Sequence, residues 1–257
     1  MSATQDIRIV HDGAVALVEM DRPPHNFVDA GFMQRLADDL ERLDKVDACR
    51  AVVLMSAGKN FCAGADFSGA AKSGEAVDPS AFYVHAMRLF GTSKPIVAAV
   101  NGAAVGAGLG LTLAADFRVA GPGTRFSANF NRLGFHPGFG LTLTLPRLIG
   151  EQKASLLFYT GRRIGGEEAA RIGLADEVAA DDEGIRTRAI ALAQEIAASA
   201  PLAVESTRAA LRADLQKRVA LANQDELSIQ LRQFRTEDFK EGVAAMAQRR
   251  LPAFRRC

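Results

Sequence analysis

The sequence predicts an α/β fold in which parallel strands and helices alternate through residues 1–183, followed by a region, 184–257, made of helices alone. Three observations carry this. Short apolar runs such as Ala51-Val-Val-Leu-Met55 and Pro95-Ile-Val-Ala-Ala-Val100 are each followed by a loop rich in small residues, so strand–loop–helix units recur. From about Gly184 onward the strand signals stop and only helical pairs remain: Leu192/Ile196, Leu211/Leu215 and Leu227/Leu231/Phe234. The composition agrees, with 48% apolar and 24% charged residues, 23 Gly and 9 Pro in 257 residues, which is enough apolar material for a large core and unlike a disordered or fibrous chain.

Taken in order, Ile7 and Ile9, then Val15 and Leu17, alternate around Asp12-Gly13, a turn pair between two strands. The second strand gives out at Arg22-Pro23-Pro24, because proline pushes the residue before it into extended backbone. Phe32, Leu36, Leu40 and Leu43 recur at helical spacing, with Asp29 placed to cap the helix. After the strand at 51–55 comes the loop Ser56–Asp66, then a small, polar stretch at 67–80 that is expected to be mobile. Phe82, Met87 and Phe90 suggest a helix reaching to Ser93. The strand at 95–100 turns through Asn101–Gly108 into Leu109–Ala115, which is apolar on every side and so reads as a helix buried all round. In the C-terminal region a hinge is expected near Pro201. Leu211, Leu215, Val219, Leu227, Leu231 and Phe234 form a run too apolar to leave exposed, suited to packing over the core or against a second copy.

Charge and motif content exclude several classes. The 31 basic and 30 acidic residues leave a net charge of +1, with no electrostatic footprint for nucleic acid. Three cysteines at 49, 62 and 257 make no disulfide framework, and four histidines at 11, 25, 85 and 136 show no metal-ligand spacing, so no metal is expected. Residues 1–13 lack a secretion signal and no apolar stretch reaches the ~18 residues a membrane span needs. A soluble, cytoplasmic protein with reduced cysteines is expected.

Gly102-x3-Gly106-x-Gly108 imitates the turn of short-chain dehydrogenases, but it lies mid-chain and no Tyr-x3-Lys accompanies it: Arg163 stands at that spacing from Tyr159. More telling is a pair of small-residue loops after two buried strands, Phe61-Cys-Ala-Gly-Ala-Asp-Phe67 and Asn101–Gly108. Small residues let a ligand approach the backbone, and N–H groups at a helix start are unsatisfied. Two of them converging on one point make an oxyanion hole, while the same residues would also serve plain strand–helix packing.

These motifs resemble the crotonase superfamily, the enoyl-CoA hydratase/isomerase family. The likeness runs nearly end to end: Arg22-Pro23, Phe61–Asp66, Lys94–Gly102, Gly106-Ala-Gly108, Ala114-Ala-Asp116, Arg125-Phe126, Leu133-Gly134, Pro137-Gly138, Thr160-Gly161, Glu168-Ala169, Gly173-Leu174, Glu241-Gly242 and Pro252-x-Phe254. It implies a crotonase-like spiral of ββα units with a C-terminal helical trimerisation region, hence a homotrimer or dimer of trimers. It implies an acyl-CoA thioester as substrate, with coenzyme A as part of that substrate rather than a cofactor. The thioester carbonyl would sit between the N–H groups of Ala65 and Ala107, which stabilise an enolate. Ala63, Ala65, Asp66, Phe67 and Ser68 would line the path of the coenzyme, as would residues 24–27 (Pro24, His25 through its backbone, and Phe27), with Gly106 beside the second donor. Arg249 stands where the family often places a lysine near the terminal phosphates, though a solvated position explains it equally; Asp116 is read as structural.

The chain departs from the family's hydratases at both acids. The positions their two glutamates would occupy are Gly110 and Phe130 here. Without either carboxylate, each worth ~10²–10⁴-fold as acid or base, efficient hydration is not expected; Glu at both positions would raise it only where the apolar surroundings of position 130 let a carboxylate ionise. Phe130 would instead wall the acyl site. By elimination His136, in the loop after position 130, is the candidate acid/base, since imidazole suits proton transfer at neutral pH; a histidine satisfied by turn backbone is the alternative. His85 is a second candidate about half a turn out of register. The aspartate of related dehalogenases would fall at Gly138. Asn129 and Asn131 should point away on extended backbone. Three readings follow: an acyl-CoA isomerase, hydrolase, decarboxylase or C–C lyase; a slow enoyl-CoA hydratase; or an inactive acyl-CoA-binding scaffold.

Overall fold

A computed structural model describes residues 6–65 and 77–257. The chain opens with β1 (Ile7–Asp12), β2 (Val15–Met20), α1 (Ala30–Asp44), β3 (Ala51–Ser56), α2 (Ser80–Arg88), β4 (Ile96–Ala99), β5 (Ala103–Val105), α3 (Ala107–Ala114), β6 (Phe117–Ala120) and β7 (Arg125–Ser127). It continues through α4 (Leu141–Ile149), α5 (Glu151–Thr160), β8 (Arg163–Gly165), α6 (Gly166–Arg171), β9 (Glu177–Val178), α7 (Asp182–Ala197), α8 (Pro201–Leu211), α9 (Leu215–Gln233) and α10 (Glu237–Ala247).

The expected α/β architecture is present. β1 and β2 pair antiparallel about Gly13, whose φ of 57° is the left-handed value the Asp-Gly turn needs. β3, β4, β6 and β9 then add in parallel, giving one sheet in the order β1-β2-β3-β4-β6-β9. A second small sheet runs β5-β7-β8. The apolar runs of β2, β3 and β4 divide by parity, since successive side chains of a strand face opposite ways. Val15, Leu17, Ala51, Val53, Met55, Val97 and Ala99 face Ile185, Ala189, Ala193 and Ala197 of α7. Val18, Met20, Val52, Leu54, Ile96 and Ala98 share the other core with Phe32, Leu36 and Leu40 of α1. Covering both faces is why these strands read as unbroken apolar runs. Asp29 caps α1 as its position predicts, accepting from Phe32 N at 2.8 Å. Truncating Phe32, which is fully buried, would cost about 3–5 kcal/mol.

Three details differ from the sequence reading. Residues 103–105 form a strand inside the glycine-rich turn, and the buried helix starts at Ala107 rather than Leu109. Residues 129–133 form a 3-10 turn, not an extended segment, so Asn129 is not carried away from the loop after β5. Of the two placements the sequence allowed for the apolar run of the C-terminal helices, packing over the core holds for Leu215, Val219 and Phe234, which are buried in the protein's own core. The inward face of α9 continues as Asn223, Glu226 and Gln230, all buried. The expected division at 183/184 falls inside α7, which packs on the large sheet. Among the described residues no helix is long and apolar enough to cross a membrane.

Candidate active site

Parallel strands deliver the loops after their C-terminal ends to one edge of the sheet, and here β3 and β4 release two loops side by side. Backbone bonds lock them together: Phe61 N donates to Asn101 O at 2.7 Å, Cys62 N to Ala103 O at 2.9 Å and Val105 N to Cys62 O at 3.0 Å. The glycines permit the approach. A Cβ on Gly64 (φ 115°) would stand 3.2 Å from Val105 O, and one on Gly108 would lie 2.9 Å from the carbonyl carbon of Cys62. Asn26, buried at φ 51°, ties a third segment to the pair through Ser56 Oγ at 2.5 Å and Asn60 O at 3.2 Å. Ala63 N donates to His25 O at 3.1 Å, so exposed Pro24, His25 and Phe27 rim this edge. Asp66, Phe67 and Ser68 lie outside the described residues.

Ala65 and Ala107 thus sit on adjoining loops, and neither N–H has an acceptor among the described residues. Ala107 is the first residue of α3, whose bonding begins with Gly110 N to Gly106 O at 3.1 Å. Gly106 has φ 55° and ψ −112°. At that ψ a side chain on residue 106 would be nearly eclipsed with the Ala107 nitrogen, and the N–H points into the space it would fill. A glycine is required there both for its φ and to leave that N–H open.

The walls are apolar. Phe139, at φ 66°, lays its ring against Gly110 and makes edge contacts with Phe82 and Phe90 at centroid distances of 6.0 and 6.2 Å. Phe130 is buried, its ring edge 3.9 Å from the Cβ position of Gly106 and its ring in T-shaped contact with Phe135 at a centroid distance of 5.5 Å. Burial pushes the Cys62 thiol up to about 12, so it stays protonated and is no nucleophile.

The loop 136–142 over these walls is held by a polar ladder on the inward face of α9. Asn223 Oδ1 accepts from Phe139 N at 3.0 Å. Glu226 accepts from Gly140 N at 2.7 Å, Thr142 N at 2.8 Å and Thr142 Oγ1 at 2.6 Å. Gln230 donates to His136 O at 2.8 Å and accepts from the buried Tyr83 hydroxyl at 3.0 Å. Gln233 Oε1 accepts from His136 N at 2.6 Å. Burial raises Glu226 to about 7 against the pull of its three donors, and burial likewise raises the Tyr83 phenol. The space of a side chain on Gly138 is taken by Tyr83 Oη and by Gln230 Nε2, 2.6 Å from the Cβ position. Sequence reasoning missed this ladder because it sought apolar periodicity. The 223, 226, 230, 233 spacing was legible only as polar residues at helical intervals.

His136 is half-buried, with Nδ1 2.8 Å from Pro137 O. If Nδ1 donates there, the tautomer leaves Nε2 as the free acceptor. His85 lies on α2, where its ring meets Arg88 at 3.2 Å, whose guanidinium is held by Asp38 and Glu41 of α1. Arg249 is exposed just beyond α10. Asp116 accepts from Ile96 N and pairs with Arg208 and Arg212 at 2.9 and 2.8 Å, joining α8 and the turn after it to the sheet.

Known proteins share this architecture. The family model described as enoyl-CoA hydratase/isomerase matches residues 11–256. A probable enoyl-CoA hydratase of Mycobacterium tuberculosis is 38% identical over 249 residues, covering 93% of this chain and 96% of its own. A carnitinyl-CoA dehydratase of Proteus mirabilis is 32% identical, covering 98% and 99%. The crystal structure of an enoyl-CoA hydratase/isomerase from Pseudoalteromonas atlantica superposes with a TM-score of 0.87 at 30% identity, over 98% of this chain and all of that one.

Proposed function

The chain belongs to the enoyl-CoA hydratase/isomerase family, the crotonase superfamily, and from that premise we propose an acyl-CoA enzyme that stabilises a thioester enolate without hydrating crotonyl-CoA efficiently. The observation that carries this reading is the pairing of two open N–H groups, on Ala65 and Ala107, with walls that hold no carboxylate at 110 or 130. The thioester oxygen takes a hydrogen bond from each N–H. As the α-carbon loses a proton or a bond, negative charge grows on that oxygen and the two bonds strengthen. Losing one such donor typically costs ~10²–10³-fold in rate. Pro24, His25, Phe27 and Ala63 offer the rim for coenzyme A, and Arg249 a charge for its phosphates. His136 is the candidate acid/base, acting through Nε2.

The chemistry proposed is isomerisation, hydrolysis, decarboxylation or C–C cleavage of the acyl group. A second reading, slow enoyl-CoA hydration, is favoured by the relatives named hydratase and dehydratase. Assembly as a homotrimer or dimer of trimers, in the cytoplasm, belongs to the same proposal. The test is turnover across a thioester panel with acyl-CoA binding measured alongside. Tight binding, turnover of another thioester, and crotonyl-CoA turnover far below the ordinary range of about 10–10³ per second is the expected result. Crotonyl-CoA turnover within that range overturns it.

A further inference from the structure

Asn129 is a polar side chain for which the reading above has no task. It opens the 3-10 turn 129–133, is half-buried, and its carboxamide has no hydrogen-bond partner among the described residues. Its neighbours at two residues either side are anchored by contrast, Ser127 Oγ to Gly161 O at 3.3 Å and Asn131 Nδ2 to Tyr159 O at 2.7 Å. The Asn129 Oδ1 stands 3.6 Å from the position a Cβ on Gly106 would take, and Phe130 Cζ stands 3.9 Å from it. That position is the one into which the Ala107 N–H points, by the φ and ψ of Gly106. One carboxamide and one aromatic edge therefore flank the open N–H.

Resting on the assignment of the Ala107 N–H to the thioester oxygen, we propose that Asn129 is a third hydrogen-bond donor to that same oxygen. Half a turn of the carboxamide about Cβ–Cγ presents Nδ2 where Oδ1 stands and breaks no bond to a described residue. An amide suits the place for two reasons. It donates without carrying charge, so burying it beside the Phe130 ring costs far less than burying an ammonium. Its bond strengthens as charge develops on the oxygen, in surroundings of lower polarity than water. The wall that lost two carboxylates would then keep one neutral group that acts on the oxygen rather than on a proton.

The experiment compares wild type with Asn129→Ala, Asn129→Asp and Asn129→Gln, using acetyl-CoA and hexanoyl-CoA labelled with carbon-13 at the thioester carbonyl. The infrared carbonyl stretch of each bound thioester is read together with its dissociation constant. Wild type should move the stretch to lower frequency than in solution. Asn129→Ala and Asn129→Asp should lose part of that displacement, and Asn129→Gln should recover some of it. Affinity should weaken by no more than about tenfold, the worth of one neutral hydrogen bond. A stretch displaced in wild type and identical in all three variants overturns the Asn129 assignment and leaves the two backbone donors standing. A wild-type protein that binds neither thioester, or binds with an undisplaced stretch, overturns the underlying reading and this one with it.

Discussion

The ring of Phe139 occupies the space that a side chain on Gly110 would need: a Cβ built on Gly110 would lie 2.6 Å from Phe139 Cδ1 and closer still to Cγ. The two residues form a knob and a hole, and this takes up the room that the glutamate expected to aid hydration would need at position 110. A carboxylate at 110 has nowhere to go while Phe139 is there. Gly110→Ala tests the relationship. Helix propensity alone would favour alanine in α3 by about 1 kcal/mol. Overpacking costs typically 1–3 kcal/mol, so the substitution should destabilise or at best break even. Phe139→Ala should cost about 3–5 kcal/mol on its own. Denaturant unfolding of the double variant should show less than the sum of the two; strict additivity would mean that the contact has no energetic content.

His136→Gln addresses the acid/base assignment. The substitution should lower the chemical step of the turned-over thioester by roughly two orders of magnitude or more and remove one limb of its pH–rate profile. Acyl-CoA affinity should change little, because carbonyl binding is assigned to the backbone of Ala65 and Ala107 and to Asn129, none of which the substitution alters. Full activity in the variant would return His136 to a turn residue satisfied by Pro137 O.

Glu226 makes folding stability depend on pH. Burial raises its folded-state pKa from 4.5 to about 7, so between those values the folded protein holds a proton that the unfolded chain has released. Stability from this group is present below about pH 4.5, falls as pH rises through about 7, and is level above that. The contribution is on the order of 1–3 kcal/mol. Glu226→Gln should flatten this part of the curve. Unfolding free energies of both proteins from pH 5 to 8 check it, and parallel curves would refute it.

Assembly is tested on the surface that the fold leaves apolar. Leu202 and Leu211, at the two ends of α8, are 79% and 71% exposed. Light scattering at micromolar concentration should give a trimer or hexamer, and Leu202→Glu with Leu211→Glu should reduce its size if α8 lies in the interface. A wild-type monomer would refute the assembly.

Much of this protein was legible in its sequence. Runs such as Ala51–Met55, short and rich in valine, read as strands buried on both faces, because a run of this length is too short for a buried helix of ordinary length. Asp12-Gly13 and Asp29 are local devices whose chemistry works at short range, and both act where the sequence places them. The glycines at 64, 106 and 108 announced a close approach of backbone. What they approached could not be read, because Gly64 meets Val105 O and Gly108 meets the Cys62 carbonyl only when two loops about forty residues apart are brought to one sheet edge. Tertiary structure alone decided three further matters. It filled the hole at Gly110 with a ring from residue 139. It turned Asn129 toward Gly106 by winding 129–133 into a 3-10 turn. It also reversed the polarity rule along α9, where Asn223, Glu226 and Gln230 point inward because the loop 136–142 brings unpaired backbone groups that only polar side chains can satisfy. A helix pattern read from sequence counts apolar residues; it has no knowledge of the donors and acceptors that another segment will bury against it.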